Sequence, residues 1–561
     1  MSQASQIFGD RRAAGTIVVP DAIPAESATR RLAPSMAKSA IIVSIAFILS
    51  RMLGLAREVI LAKAFATGPQ MDAYVSAFRI PDLLFLTVMS GAFGAAFIPV
   101  FGEFITKGDE ARAWRLASAV LTWSGITVIV LSIIMFIFAR PLMFLVSPGF
   151  DKPTADIAVN LMRILLLSPV FLGLGIAAKG ILEAQQQFTL PAIAPLVYNV
   201  AIIIGAQFFV KDYGIYAVGW AVIFGGLGHF LVQVPGLSTV GFKFKPTISR
   251  QVDGLKEVVK LLGPRVVGLA AFQVNFIAVT AFASVSSSSH VSAINYSWQL
   301  LMLPHGVLAL SISTVAFPAL AALYSKGDQT SFRDLLDRTL RPLLFLTIPA
   351  SVGLLLLREP IVQALYQRGN FDATSTALVT APLAWFAIGL VGYGVTEILT
   401  RVFFATRDTM TPVVTGVLTI VLNVILCALF VGSMSQSGLA LSLSATTGAE
   451  AVILMLFLRH RIGHVVAPDF WSWLARVLAA TACMGVVVFA TVTKLEEAMR
   501  TAMGQPLKEY PIFLYAMLMY VFAFIVFALV FRIPELQAVI GKIASKLPGP
   551  GQRVLARLGM I

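Results

Sequence analysis

The chain has 561 residues, 58% of them hydrophobic and 12% charged, with a mean hydropathy of +0.86. Soluble domains carry about 25% charged residues, so this composition excludes an ordinary soluble enzyme and describes a protein that crosses a bilayer many times. The net charge of +14 does not indicate a nucleic-acid partner, because Lys and Arg fall mostly in loops, where topology and anionic lipid headgroups account for them.

Residues 1–38 are polar, rich in Ala, Ser and Pro, and lack the short apolar core of a cleavable signal peptide. They read as a disordered cytoplasmic tail. Apolar segments follow at 40–65, 72–102, 113–138, 155–183, 190–210, 214–237, 262–285, 291–323, 340–365, 374–405, 411–432, 437–459, 470–493 and 511–532. The fold class is therefore an all-α polytopic membrane protein with 14 transmembrane helices. Several segments exceed the ~20 residues a bilayer needs, which predicts tilt or kinks. Pro81, Pro99, Pro304 and Pro318 lie inside segments and should bend them.

An even number of spans puts both termini on one side. The loops on that side, with the two tails, hold roughly 26 Lys and Arg against about 9 opposite, so the positive-inside rule places the termini in the cytoplasm. The loops 284–290 and 432–438 carry no Lys or Arg, as outer loops should.

The chain also resembles itself. Lys107-Gly108-Asp109, eight residues after Pro99, returns as Lys326-Gly327-Asp328, eight after Pro318, at an offset of 219. Gly149-Phe150-Asp151 matches Asn370-Phe371-Asp372 at an offset of 221, and Gly173 with Gly394 and Pro191 with Pro412 keep that offset. Two six-helix lobes in the same orientation follow, a parallel repeat about an axis along the membrane normal. The expected divisions are a tail (1–38), an N-lobe (39–240), a C-lobe (241–465), two further spans (466–533) and a cytoplasmic C-terminal tail (534–561).

The chemistry sits in the first hairpin. Span one carries Ser50, Arg51, Arg57 and Glu58, and span two carries Asp72, Arg79 and Asp82. A charge at bilayer depth costs roughly 2.5–3.5 kcal/mol on insertion scales, so these groups are expected to line a polar cavity rather than face lipid. Seven-residue spacings place Ser50 with Arg57, Arg51 with Glu58, and Asp72 with Arg79 on shared helix faces. Arg51 lies near mid-span, whereas Arg57 and Glu58 are close enough to the outer end to snorkel. Arg57 and Asp72 flank the short turn at Thr67-Gly68-Pro69 and could pair as a gate. A guanidinium is a planar fork of donors suited to phosphate oxygens. In spans seven and eight, Arg265, Gln273, Asn275, Asn295, Trp298 and Gln299 are candidates for the other wall or for interhelical hydrogen bonds.

Other classes find little support. The five His residues lack metal-ligand spacing, no P-loop is present, Cys427 and Cys483 lie in apolar runs, and no filter-like loop marks a channel. No enzyme, metal or cofactor is expected.

The run Ser50-Arg51-x-x-Gly54-x-x-Arg57-Glu58, then Asp72-Ala73-Tyr74, Ala77-Phe78-Arg79-Ile80-Pro81-Asp82-Leu83-Leu84 and Gly91-Ala92-Phe93, resembles the MurJ (MviN) lipid II flippase family. Leu262-Gly263-Pro264 with Gln273, Leu303-Pro304-x-Gly306-Val307 and Tyr366-Gln367-x-Gly369-x-Phe371 agree with it, and the likeness covers about residues 40–530. The resemblance implies a MOP-superfamily exporter in the bacterial inner membrane. It implies movement of lipid II, the undecaprenyl-diphosphate-linked muropeptide, from the cytoplasmic to the periplasmic leaflet for cell-wall synthesis. Membrane lipids and other cell-wall synthesis proteins are the implied partners, and a coupling ion or the membrane potential the implied drive. Carried over, Arg51, Arg57 and Arg79 with Ser50 would hold the diphosphate, and Asp72, Glu58 and Asp82 would serve gating or coupling.

Two departures stand out. Where many members have an Arg pair and a Glu, this chain has Phe85-Leu86 and Ser90, and where many have Asp-Arg in span eight it has Trp298-Gln299. The C-lobe candidates are then Arg265, Gln273, Asn275 and Gln299. The alternatives are a flippase for another polyprenyl-linked glycan, a MATE-like drug or cation antiporter, and a scaffolding protein without transport. Three Arg in the first hairpin argue against a carrier of cations.

Overall fold

The computed structural model describes residues 25–90, 92–503 and 509–544, and all regular structure among them is helical. The first half runs α1 (Ala25–Phe65), α2 (Pro69–Leu84), α3 (Ile98–Thr106), α4 (Glu110–Ile137), α5 (Ala139–Val146), α6 (Lys152–Leu165), α7 (Ser168–Ala184), α8 (Thr189–Ile204), α9 (Val210–Tyr213), α10 (Ile215–Leu231) and α11 (Val234–Thr239). The second half has α12 (Leu255–Ser286), α13 (His290–His305), α14 (Ser311–Ser325), α15 (Gln329–Leu356), α16 (Arg358–Tyr366), α17 (Ala373–Ala405) and α18 (Met410–Ile462). Three helices close the described chain: α19 (Phe470–Met503), α20 (Glu509–Val530) and α21 (Pro534–Ala544). Helix α1 reaches back to Ala25, into the segment read as a disordered tail, and α21 orders the start of the other tail.

Eleven stretches among the described residues are long and apolar enough to cross a membrane, and the charged first hairpin is not among them. Large apolar side chains such as Phe144 and Val315 are exposed, as a bilayer-facing surface requires. The 53-residue α18 exceeds any bilayer thickness and breaks at Ser435 (φ 49°, ψ −132°), so the outer loop expected near 432–438 contracts to a single non-helical residue.

Two of the four prolines, Pro81 and Pro304, are followed by local rewinding of the helix. Pro81 precedes π-helical turns at Phe85–Ser90 and Ala92–Phe97, and Pro304 precedes another at Gly306–Leu310. A proline removes one i to i−4 hydrogen bond, and the π turns that follow keep the backbone of the next segment paired within the chain.

The two Lys-Gly-Asp turns fold alike. Gly108 (φ 73°) and Gly327 (φ 72°) take the left-handed conformation. Asp109 then caps α4 by accepting from the Arg112 amide, and Asp328 caps α15 through Ser331. Each capped helix has 28 residues and leads into a short helix, α5 or α16.

The central core joins both halves: Leu61 and Met71 from the first hairpin pack in one cluster with Val279, Leu301, Phe386 and Leu443. Helices α19 and α20 pack on α15. At one end of that contact Arg341 bridges Asp337 (2.7 Å) and Asp469 (2.8 Å) and lies over Trp473 (5.5 Å). The Arg341 hydrogen bonds hold the Asp469 carboxyl below its usual range.

Candidate functional site

The first hairpin sets four of its charges against the second half of the chain across two adjoining cavities. One, of about 240 Å³, is lined by Arg57, Glu58, Tyr74, Arg79, Asp82 and Tyr198, with Asn295 and Gln299 opposite. The other, of about 220 Å³, shares Arg79, Asp82, Asn295 and Gln299 and adds Gln273, Thr280 and Trp298. The first half thus supplies the charges, and α12 and α13 supply amides, a hydroxyl and an indole.

Both Arg side chains are held in place. Arg57 pairs with Glu58 (Nη2–Oε1, 2.7 Å) and donates from Nη1 to Asn199 Oδ1 (3.2 Å). Asn199 is oriented in turn by its own donation to the Pro195 carbonyl (3.0 Å). Glu58 Oε2 is buried and has no hydrogen-bond partner among the described residues. Arg79 donates from Nε to Thr280 Oγ1 (2.9 Å) and lies over the Phe276 ring (5.3 Å). It therefore ties α2 to α12 rather than forming a closed ion pair with Asp82. A guanidinium has five N–H donors, so both Arg side chains keep donors for an anion in the cavity. Trp298 is wedged edge-on against Phe276, Phe386 and Tyr393 at 5.1–5.5 Å.

Where α1 ends and α13 begins, the halves are latched. Buried Asp72 accepts from the Ser289 amide (2.7 Å), the Ser292 amide (2.8 Å) and the Ser292 hydroxyl (2.5 Å), capping the N-terminus of α13 from across the cleft. A carboxylate is stabilised there by free N–H groups and the helix dipole. Thr67 bonds Ser375 (2.9 Å), and Asn370 bonds the carbonyls of Lys63 (3.0 Å) and Ala64 (2.7 Å).

Two glycines allow matching close approaches. A Cβ at Gly149 would collide with the Ser284 carbonyl at the end of α12. One at Gly369 (φ 63°) would lie 2.7 Å from the Lys63 carbonyl at the end of α1. Gly369→Val should therefore weaken the outer closure by roughly 1–3 kcal/mol, from left-handed strain plus the clash. The check is faster labelling, from the outer side, of a cysteine placed at Gln299.

The structure redistributes several of the expected residues. The expected pairing of Arg57 with Asp72 does not form. Asp72 finds three donors at α13, and Arg57 is satisfied by Glu58 and Asn199. Asn275 is not among the residues lining the two cavities; it accepts from buried Asn423 (2.7 Å) and joins α12 to α18. Ser50 and Arg51 do not line them either. Arg51 is exposed, stacked on Phe47 at 5.3 Å, with its guanidinium 3.8 Å from where a Cβ at Gly306 would sit. It crosses to the second half about one and a half turns further from the outer latch than Arg57. The side chains of Arg265 and Ser90 lie outside the described residues.

Asn199, Thr280, Tyr198 and Ser292 went unnoticed in the sequence. Only the serine run Ser286–Ser289 and Ser292 carried a local signal, that of a helix start.

Residues 61–502 match the family model described as lipid II flippase MurJ. The lipid II flippase MurJ of Burkholderia cenocepacia is 32% identical over 441 residues, 77% of this chain and 86% of that protein. A probable lipid II flippase MurJ of Buchnera aphidicola is 29% identical over 459 residues, 81% of this chain and 90% of its own length. A solved lipid II flippase MurJ in an inward closed conformation superposes with a TM-score of 0.74 at 25% identity, over 88% of this chain and 99% of that one. An inward-facing multidrug MATE transporter of the MOP superfamily, 15% identical, shares the fold with a TM-score of 0.64 over 76% of this chain and 98% of its own. With its charged hairpin facing a cavity beside the Asp72 latch, and with the family model matched over most of its length, this chain belongs to the lipid II flippase MurJ family.

Proposed function

We propose that the chain moves lipid II from the cytoplasmic to the periplasmic leaflet by alternating access. The observation that carries this reading is the cavity itself: Arg57 and Arg79 line a space closed at one end where Asp72 of α2 caps α13. The Arg side chains bind the diphosphate, with Arg51 on the route in. The headgroup occupies the cleft between the halves, and the polyprenyl tail stays in the bilayer along α19 and α20. Breaking the outer latch while the inner end closes releases the headgroup outside.

The chain has fourteen spans in this reading. The first hairpin adds two to the eleven apolar stretches, and division of α18 at Ser435 adds one. The matching Lys-Gly-Asp turns and 28-residue helices support two parallel six-helix lobes. Both termini are cytoplasmic, and an ion gradient or the membrane potential returns the empty carrier. A carrier of cations would have to bind its substrate beside Arg57 and Arg79, against their charge.

The expected result is that the full chain rescues cells depleted of their own flippase. The purified protein should also bind lipid II more tightly than the monophosphate of the same polyprenol. Tight binding of cationic dyes without binding of lipid II would instead assign an antiporter.

A further inference from the structure

A larger cavity, of about 600 Å³, shares no residue with the two that hold the hairpin charges. Its walls come from both halves: Thr87 in the first π-helical turn, Val120 and Thr127 on α4, and Val259 and Leu262 on α12. The lining is mostly apolar, but the rim holds Arg250 and Lys256, both exposed.

The rim is built rather than accidental. The segment 242–254 is laid along α4, with the Lys245 amide donating to Ser118 Oγ (3.3 Å) and the Thr247 amide to Thr122 Oγ1 (3.2 Å). This places the Arg250 guanidinium over the Trp123 ring at 5.5 Å. Trp123 also lines the cavity, and its Nε1 is buried without a hydrogen-bond partner among the described residues.

The charge around the rim is strongly positive. Lys243, Lys245 and Lys260 are exposed on the adjoining segments, and of the acids nearby Asp253 is engaged by Arg112 at 3.7 Å, leaving Glu257 exposed. An apolar cavity of 300–1,000 Å³ with a few convergent polar groups is the usual form of a small-molecule site. Here the apolar part fits an acyl chain and the rim fits a phosphate.

We propose that this groove binds an anionic phospholipid of the bilayer. One acyl chain lies in the cavity, and the phosphate sits between Arg250 and Lys256. A zwitterionic lipid brings its own cation beside the phosphate and offsets the two basic groups less, and a free phosphate leaves the cavity unfilled. Because α4 and α12 belong to different halves, a lipid bound here favours the arrangement of the halves that forms the groove. Lipid composition then tunes the transport cycle at a site separate from the headgroup cavity, and the binding claim stands whether or not the transported substrate is lipid II.

The test uses the purified full chain, stripped of lipid in detergent, with phosphatidylglycerol and phosphatidylcholine of identical chains as probes. Wild type should retain phosphatidylglycerol preferentially. Arg250→Gln/Lys256→Gln, at two exposed positions, should weaken it roughly 30-fold, from about fivefold per basic residue. Val120→Phe, which fills the cavity, should reduce retention without changing the charge. Equal retention of the two lipids, or unchanged phosphatidylglycerol binding in both variants, would overturn the proposal. So would displacement of phosphatidylglycerol by millimolar inorganic phosphate, which would mark a bare anion site. Stoichiometric displacement by a polyprenyl diphosphate would reassign the groove to the transported lipid.

Discussion

Asp72→Ala is expected to open the outer end of the carrier and abolish rescue of flippase-depleted cells. One carboxylate supplies the three hydrogen bonds that hold α13 against α2. Bonds to a charged group are each worth about 1.5–3 kcal/mol, and part is returned when water reaches the freed amides. A net loss of roughly 2–3 kcal/mol shifts the equilibrium between closed and open outer ends about 30- to 150-fold. A cysteine at Gln299, in a background lacking Cys427 and Cys483, should then react with a membrane-impermeant thiol reagent from outside. Asp72→Asn should fall between Ala and wild type, because its amide oxygen can accept while its NH2 meets other donors. Unchanged labelling in Asp72→Ala would show that the remaining contacts, Thr67 with Ser375 and Asn370 with Lys63 and Ala64, hold the closure without it.

That latch also shows where sequence reading succeeds and where it stops. The charges of the first hairpin were legible because an apolar background makes any charge conspicuous, and their energetic cost pointed to a shared cavity. The helices and the Lys-Gly-Asp turns were legible because hydropathy, Gly and Asp capping are local signals. The partners were not. Asp72 meets residues 217 and 220 positions away, and Arg57 meets one 142 away.

Opposite charge across a short turn favours Arg57 as the partner of Asp72. The free N–H groups at the start of α13 prevail because they offer a carboxylate more donors than a guanidinium already committed to Glu58. Asn275 illustrates the reverse case. A polar residue in a membrane helix is equally suited to ligand and to glue, and only the position of Asn423 decides for glue. The break at Ser435 was hidden because a helix can reverse around one residue where the sequence suggested a loop.

Arg57→Ala is the second change with a large expected effect, and it separates two roles that one side chain combines. Removing the guanidinium strands Glu58, whose Oε1 loses its cation while Oε2 is already without a partner among the described residues. Stripping one member from a buried pair costs about 3–5 kcal/mol, so the single variant should lose both stability and transport. Arg57→Ala/Glu58→Gln removes the stranded charge and should recover most of the thermal stability measured in detergent. If Arg57 also grips the diphosphate, the double variant stays inactive and binds lipid II at least tenfold more weakly, a loss of about 1.4 kcal/mol or more. Glu58→Gln alone frees Arg57 from its ion pair, so it should keep lipid II binding near the wild-type level. A double variant that regained transport along with stability would reduce the pair to a structural clasp. The anion-binding role would then fall to Arg79, whose guanidinium reaches the same cavities while anchored to Thr280.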